Sequence, residues 1–279
     1  MATRVGSGDR RVLHHRVNGY DMAYIEVGTG TPLVCVHGSL CDFRIWSCVL
    51  GPLTRRHRVI TPSMRHFFPE HWDGVGTDYT MAQHVADTIA FIEALGVGRI
   101  DLMGHSRGGH IAFRVAQQRP DLLRRVVLAE PGGDLDASLA PTASAAPPMR
   151  SMATAAADRI AAGDVDGGLA SFIDTIDGEG TWRALPGYER QQFRDNAYTL
   201  VGQVNEQRQP FTRADAESIR VPTLLVGGEK TRGSLPVVLR ALAAHVPGAR
   251  LEIIPRAMHF MFGQEPERFC EVVLSFLAG

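Results

Sequence analysis

The chain has 279 residues, 44% of them hydrophobic and 21% charged, which is enough apolar chain for a sizeable core and excludes global disorder. A formal net charge of −1 gives no electrostatic reason to expect nucleic acid or an anionic membrane as partner. Residues 1–10 are polar and unlike a signal peptide, no run approaches the ~20 apolar residues that span a bilayer, and Cys35, Cys41, Cys48 and Cys270 form neither a C-x-x-C pair nor a metal spacing, so the expectation is a cytoplasmic protein with free thiols.

Residues 11–19 and 22–27 read as two paired strands joined at Asn18-Gly19, a dipeptide suited to the tight turn of a hairpin. Leu33-Val34-Cys35-Val36 is a short continuous apolar run of the kind buried inside a parallel sheet, followed by His37-Gly38-Ser39-Leu40 and a first helix carrying Trp46. Residues 58–61 are the next strand. From Met81 to Leu95, Val85, Ile89 and Ile92 form the apolar stripe of an amphipathic helix that stops at Gly96. A strand at 99–103 leads into Gly104-His105-Ser106-Arg107-Gly108-Gly109, and a helix then runs to about Gln118.

Residues 125–129 form another buried strand ending at Glu130-Pro131. From 134 to 218 the pattern changes. Residues 136–157 are rich in Ala, Ser and Pro and read as a mobile stretch, and the helical segments after them contain no β-branched strand run. Residues 223–227 and 250–254 resume the strands, with helices at 234–246 and after Pro266. Strands alternating with helices predict an α/β fold with a mostly parallel, doubly wound sheet. The predicted division is a core of residues 1–133 and 219–279 with a helical lid of residues 134–218 inserted above it.

Gly104-x-Ser106-x-Gly108, between a strand and a helix, has the pattern of a nucleophile elbow, a strained turn that exposes a serine hydroxyl beside the N–H groups of a helix N-terminus. Glycine at 104 and 108 leaves room where a side chain would strike the neighbouring turn. Together with His37-Gly38, Trp46, residues 221–228, Pro255-x-x-Met258-His259 and Pro266-Glu267-x-Phe269, this stretch resembles the α/β-hydrolase superfamily over roughly residues 12–135 and 219–279.

The resemblance implies Ser106 as nucleophile and His259 as the base that activates it, with no cofactor and no metal. His105, beside the nucleophile, is expected to point elsewhere. The acid is open. Many relatives carry an aspartate where this chain has Thr231, leaving Glu130 and Glu229. Some members, including certain haloalkane dehalogenases and zearalenone-type lactonases, carry the acid on the strand that ends here in Glu130, which is therefore favoured, with Glu229 as fallback. Pro131 biases Glu130 to an extended backbone. The oxyanion is expected to meet the backbone N–H groups of Ser39 and Arg107. His37 is expected to be structural.

Phe67, Phe68 and Trp72 replace a commoner glycine-rich turn and are expected to pack the loop. Phe172, Ile173, Ile176, Trp182, Leu185, Tyr188, Phe193 and Tyr198, at helical spacing, are expected to form the core of the lid more than a substrate surface. The implied activity is hydrolysis of a small apolar or aromatic ester or lactone through an acyl-enzyme. Carbon–carbon bond hydrolysis of a ring-cleavage product is the nearest alternative, and a non-catalytic ligand-binding or signalling relative is the alternative from another class. Serine at the elbow argues against dehalogenase and epoxide hydrolase chemistry, which would use an aspartate. Oligomeric state is not indicated.

Overall fold

A computed structural model of the chain describes residues 11–140 and 149–279. The strands are β1 (Leu13–Val17), β2 (Tyr20–Val27), β3 (Thr31–Val36), β4 (His57–Pro62), β5 (Ile100–His105), β6 (Leu123–Ala129), β7 (Thr223–Gly228) and β8 (Arg250–Ile254). They form one sheet of order β1-β2-β4-β3-β5-β6-β7-β8, antiparallel at β1-β2 and β2-β4 and parallel elsewhere. The hairpin closes with Val17 opposite Tyr20, and Asn18 and Gly19 take φ of 47° and 77°, the left-handed pair that a two-residue turn between twisted strands requires.

Helices α1 (Ser47–Leu53), α2 (Met81–Ala94) and α3 (Arg107–Gln118) accompany the first strands. Between β6 and β7 the described residues form α4 (Met149–Ala161), α5 (Val165–Asp177), α6 (Thr181–Ala184), α7 (Gly187–Asp195), α8 (Thr199–Asn205) and α9 (Arg213–Ser218). The chain ends with α10 (Leu235–His245), α11 (Met261–Gln264) and α12 (Pro266–Ala278).

The continuous apolar runs have a direct explanation in the two cores. Val34, Val36, Leu102, Val126 and Leu128 pack with α2, α3 and α10 on one face of the sheet. Their neighbours Leu33, Cys35, Met103, Val127 and Ala129 pack with α1 and α12 on the other. Successive side chains in a strand point to opposite faces, so a strand covered on both sides must be apolar at every position.

The helices between β6 and β7 have a core of their own, in which Ala156, Ile160, Leu169, Phe172 and Leu200 meet Leu40 of the loop after β3. The stems of this segment behave differently. Leu139, Phe211 and Ala216 join the core beneath α3, and Leu135 bridges Phe211. Of the Ala/Ser/Pro-rich stretch expected to be mobile, residues 141–148 lie outside the described residues, as do residues 1–10, and 149–161 are helix. Cys35, Cys41, Cys48 and Cys270 are unpaired thiols. No helix among the described residues is long and apolar enough to cross a membrane.

Candidate active site

The site lies at the carboxyl ends of β3, β5, β6 and β8, where the loops of a parallel sheet converge. Ser106 follows β5 at φ 54° and ψ −118°, a backbone conformation few L-residues adopt. Its surroundings hold it there. Ser106 N–H donates to Ala129 O (3.0 Å), and Gly132 N–H and His110 N–H donate to Ser106 O (2.9 and 3.1 Å). The flanking glycines are required by close approach. A Cβ on Gly104 would lie 2.1 Å from Gly108 O, and one on Gly108 would lie 2.2 Å from Val36 O.

His259 follows β8, with its ring buried. Its Nδ1–H donates to Glu130 Oε2 at 2.7 Å, which leaves Nε2 without the proton, the tautomer a base requires. Glu130 is fully buried, and its other oxygen accepts the Gly228 N–H at 2.8 Å. Both carboxylate oxygens are thus satisfied at the end of an apolar strand, which is what makes the buried charge tolerable.

The backbone of Glu130 departs from expectation. Instead of the extended conformation that Pro131 favours, it takes φ 40°. Three bonds override the local preference: its N–H donates to Val226 O (2.9 Å), and its carboxylate is fastened to Gly228 and His259. Glu229 is exposed and accepts the Arg256 N–H at 2.8 Å, and Thr231 is buried with its hydroxyl unpaired.

His105 is a correction. It does not point away from the site. Its ring lies 4.4 Å from that of His259, its Nε2–H donates to His259 O at 3.0 Å, and it lines the same cavity. As the last residue of β5, a strand covered on both faces, it projects opposite to Gly104 and so reaches the loop after β8. Burial, and then the neighbouring His259, hold its pKa well below the usual histidine value. His37 is fully buried; its Nδ1–H donates to Gly38 O (2.9 Å) and its Nε2 accepts the Met64 N–H (3.0 Å). Burial pulls its pKa down to about 3, so it is a neutral brace between two loops.

A cavity of about 510 Å³ opens over these residues, within the range that takes a small organic ligand. Gly38, Ser39, His105, Ser106 and His259 form its floor, and Phe172, Ile173, Ile176, Leu185, Tyr188 and Phe193 form much of its wall. Six of the eight apolar residues expected to serve the helical segment's own core therefore face the cavity, while Trp182 and Tyr198 do not line it. Phe172, Ile173, Ile176, Leu185 and Phe193 do both, since the segment's core and the cavity share one wall, and Trp182 and Tyr198 pack in or against that core as expected. Phe67, Phe68 and Trp72 pack the loop as expected: Phe67 against His37, Phe68 against Phe43 and under Arg44, Trp72 on His66 and Tyr79.

Three polar residues of this region carried no motif. Asp177, at the end of α5, lines the cavity and accepts the Phe260 N–H at 2.9 Å, next to His259; burial pushes its carboxyl pKa up. Gln203 and Glu206, at the end of α8, bond Ser39 and Arg107. They sit far from their partners in the chain, so no spacing could have shown them.

A doubly wound sheet that presents a serine on this kind of turn, with a histidine–carboxylate pair from two later strands beside it, defines the class of α/β-hydrolase folds. The chain belongs to that family: the family described as alpha/beta hydrolase fold matches residues 31–266. The chain is 27% identical over 277 residues to an uncharacterized protein of Mycobacterium tuberculosis, covering 94% of this chain and 79% of that one. It is 26% identical over 270 residues to a 2-hydroxymuconate semialdehyde hydrolase of Pseudomonas putida, covering 93% and 92%. Its fold is similar to that of the enol-lactonase from Burkholderia xenovorans, with a TM-score of 0.79 at 19% identity, covering 96% of this chain and all of that one.

Proposed function

We propose that the protein is a serine hydrolase acting on a neutral ester or lactone, with Ser106 as nucleophile, His259 as base and Glu130 as the orienting acid. The observation that carries this reading is the buried Glu130–His259 hydrogen bond, 2.7 Å long, beside a cavity that Ser106 also lines. Ser106 Oγ attacks the carbonyl carbon as His259 Nε2 takes its proton, and Glu130 faces the imidazolium that results. The oxyanion accepts from the backbone N–H groups of Arg107 and Ser39. Collapse expels the alcohol oxygen, which receives the proton from His259; in a lactone that alcohol stays tethered. Water activated by His259 then releases the acid. Within residues 134–218, the helices α5 to α7 act as the lid that shapes the cavity, while Leu139, Phe211 and Ala216 at its stems belong to the core beneath α3.

Cavity charge supports a neutral substrate. Among the described lining residues the one cation is Arg44, already held by Asp42 and Asp195 at 2.7 and 2.8 Å, while Asp177 and Glu189 are acidic. The second reading, carbon–carbon bond hydrolysis of a ring-cleavage product, draws on the 2-hydroxymuconate semialdehyde hydrolase relative. Such a product carries a carboxylate, to which this wall offers the unpartnered Nε2 of Gln192 but, among the described residues, no cation free of a carboxylate.

The test is turnover of p-nitrophenyl acetate, p-nitrophenyl butyrate, a lactone panel and a 2-hydroxy-6-oxo-dienoate by wild type and Ser106→Ala, with fluorophosphonate labelling of the serine. Ester or lactone turnover that disappears in Ser106→Ala supports the proposal. A higher kcat/KM for the dienoate moves the assignment to carbon–carbon cleavage, and an inert, unlabelled wild type leaves a ligand-binding relative.

A further inference from the structure

Both residues whose N–H groups are assigned to the oxyanion have side chains tied to the same short stretch of the helical segment. Ser39 Oγ donates to Gln203 Oε1 at 2.6 Å. The guanidinium of Arg107, wholly buried, forms a two-pronged pair with Glu206: Nη1 bonds Oε1, and Nη2 bonds Oε2 at 2.9 Å. Arg107 Nη2 also reaches His84 Nδ1 at 3.0 Å, and Arg208 adds a bond to Glu206 Oε1 at 2.9 Å. Gln203 and Glu206 are one helical turn apart, at the end of α8 and its cap.

A backbone donor needs no particular side chain, so the oxyanion role explains neither Ser39 nor Arg107. What the side chains do is fasten the two backbones. A bidentate arginine–carboxylate pair fixes direction as well as distance. Oxyanion donors work only within a narrow range of the position the charged oxygen will occupy, so their placement matters in the transition state far more than in the bound substrate. Ser39 lies on a loop after β3 and Arg107 on the first turn of α3; α8 spans the two from above.

We infer that Gln203 and Glu206 are positioning residues for the oxyanion pocket, through which the helical segment sets the distance between the two donors as well as the shape of the cavity. This rests on the serine hydrolase reading above. It makes docking of α8 a requirement for transition-state stabilisation and leaves substrate affinity to the apolar wall.

The experiment compares Gln203→Ala, Gln203→Glu and Glu206→Gln with wild type, measuring kcat and KM for p-nitrophenyl butyrate, inhibition by a trifluoromethyl ketone that forms a tetrahedral adduct, and the melting temperature. Gln203 is half-buried and its bond to Ser39 only partly so, unlike the buried charge pair of Glu206 with Arg107, so its variants test the idea even if Glu206→Gln does not fold. The expected result for Gln203→Ala is a kcat about 10-fold lower with KM within about 2-fold, and trifluoromethyl ketone affinity reduced by a similar factor. Gln203→Glu, which keeps an acceptor for Ser39, restores kcat. A Gln203→Ala enzyme that melts lower but keeps wild-type kcat and inhibitor affinity overturns the inference alone, whereas an inert wild type overturns the underlying reading with it.

Discussion

Glu130 and His259, from the ends of β6 and β8, share a 2.7 Å hydrogen bond while the second Glu130 oxygen is held by the Gly228 N–H at 2.8 Å. The two bonds act on each other. Gly228 requires an acceptor, so the orientation of the carboxyl group is set from the side away from the histidine.

This predicts an unusually complete failure for Glu130→Gln. The amide oxygen will turn toward Gly228 N–H, leaving the NH₂ group against His259 Nδ1. The imidazole must then accept at Nδ1 and carry its proton on Nε2, where it cannot receive one from Ser106. Loss of kcat on the order of 10⁴ is expected, as for removal of a triad orienter, with Glu229→Gln within about 2-fold of wild type because that side chain is exposed and bonds only the Arg256 N–H among the contacts resolved. Equal kcat values for the two variants, measured on p-nitrophenyl butyrate, would show that the acid lies elsewhere.

Asp177 predicts a graded series. Its Oδ1 accepts the N–H of Phe260, the residue after His259. Asparagine keeps an acceptor there and alanine does not. Asp177→Ala should therefore lower kcat by about 10-fold, the worth of one such bond, with Asp177→Asn falling less. Identical kcat in both variants and wild type would remove Asp177 from the positioning of this loop.

Gly108→Ala should be a folding defect before it is a catalytic one. Its new Cβ would meet the carbonyl oxygens of Val36 and His37 at 2.2 and 2.4 Å, both backbone atoms of the central strand and its loop. Urea unfolding should show a loss of about 3 kcal/mol or more, the range of severe backbone or packing defects. A variant that unfolds at the wild-type midpoint would mean the elbow can open without cost.

His66 makes stability depend on pH. Its Nδ1 and Nε2 bond Glu70 and Asp78, each at 2.9 Å, so both ring nitrogens donate and the ring is charged. Burial opposes that charge, and the bonds to Glu70 and Asp78 together outweigh it and raise the pKa above 6.5. A raised pKa contributes stability that is fully present below about 6.5 and is lost as pH rises through the folded value. Glu70 and Asp78, resisted by burial but lowered by the same bonds, contribute above their ordinary carboxylate range and lose that contribution in acid. His66→Gln should thus destabilise more at pH 5.5 than at pH 8.5. Urea midpoints with the same difference at both pH values would contradict the charged ring.

Much of this molecule is legible locally. The runs at 33–36, 125–129 and 223–227 read as buried strands because both faces of such a strand are covered, and each face imposes its own requirement on alternate residues. Asn18-Gly19 and Gly104-x-Ser106-x-Gly108 are legible because a turn demands particular backbone angles or the absence of a Cβ, conditions that a few adjacent residues meet by themselves.

The residues proposed to act with Ser106 belong to a different level. Glu130 and Glu229 are both carboxylates near the end of a sheet strand, and the sequence favours Glu130 mainly through its resemblance to members with an acid on that strand; pairing of β6, β7 and β8 puts Glu130 beside His259 while Glu229 bonds the Arg256 N–H. The same holds for His105, whose orientation follows from the alternation along β5, and for Asp177, Gln203 and Glu206, which approach from helices far along the chain. By itself the sequence determined the strands, the turns and the serine elbow, because these are set by covalent geometry and by which faces of an element are buried. Only the tertiary structure decided which carboxylate meets His259 and which side chains hold Ser39 and Arg107, because strand order and helix docking bring together residues that no interval along the chain relates.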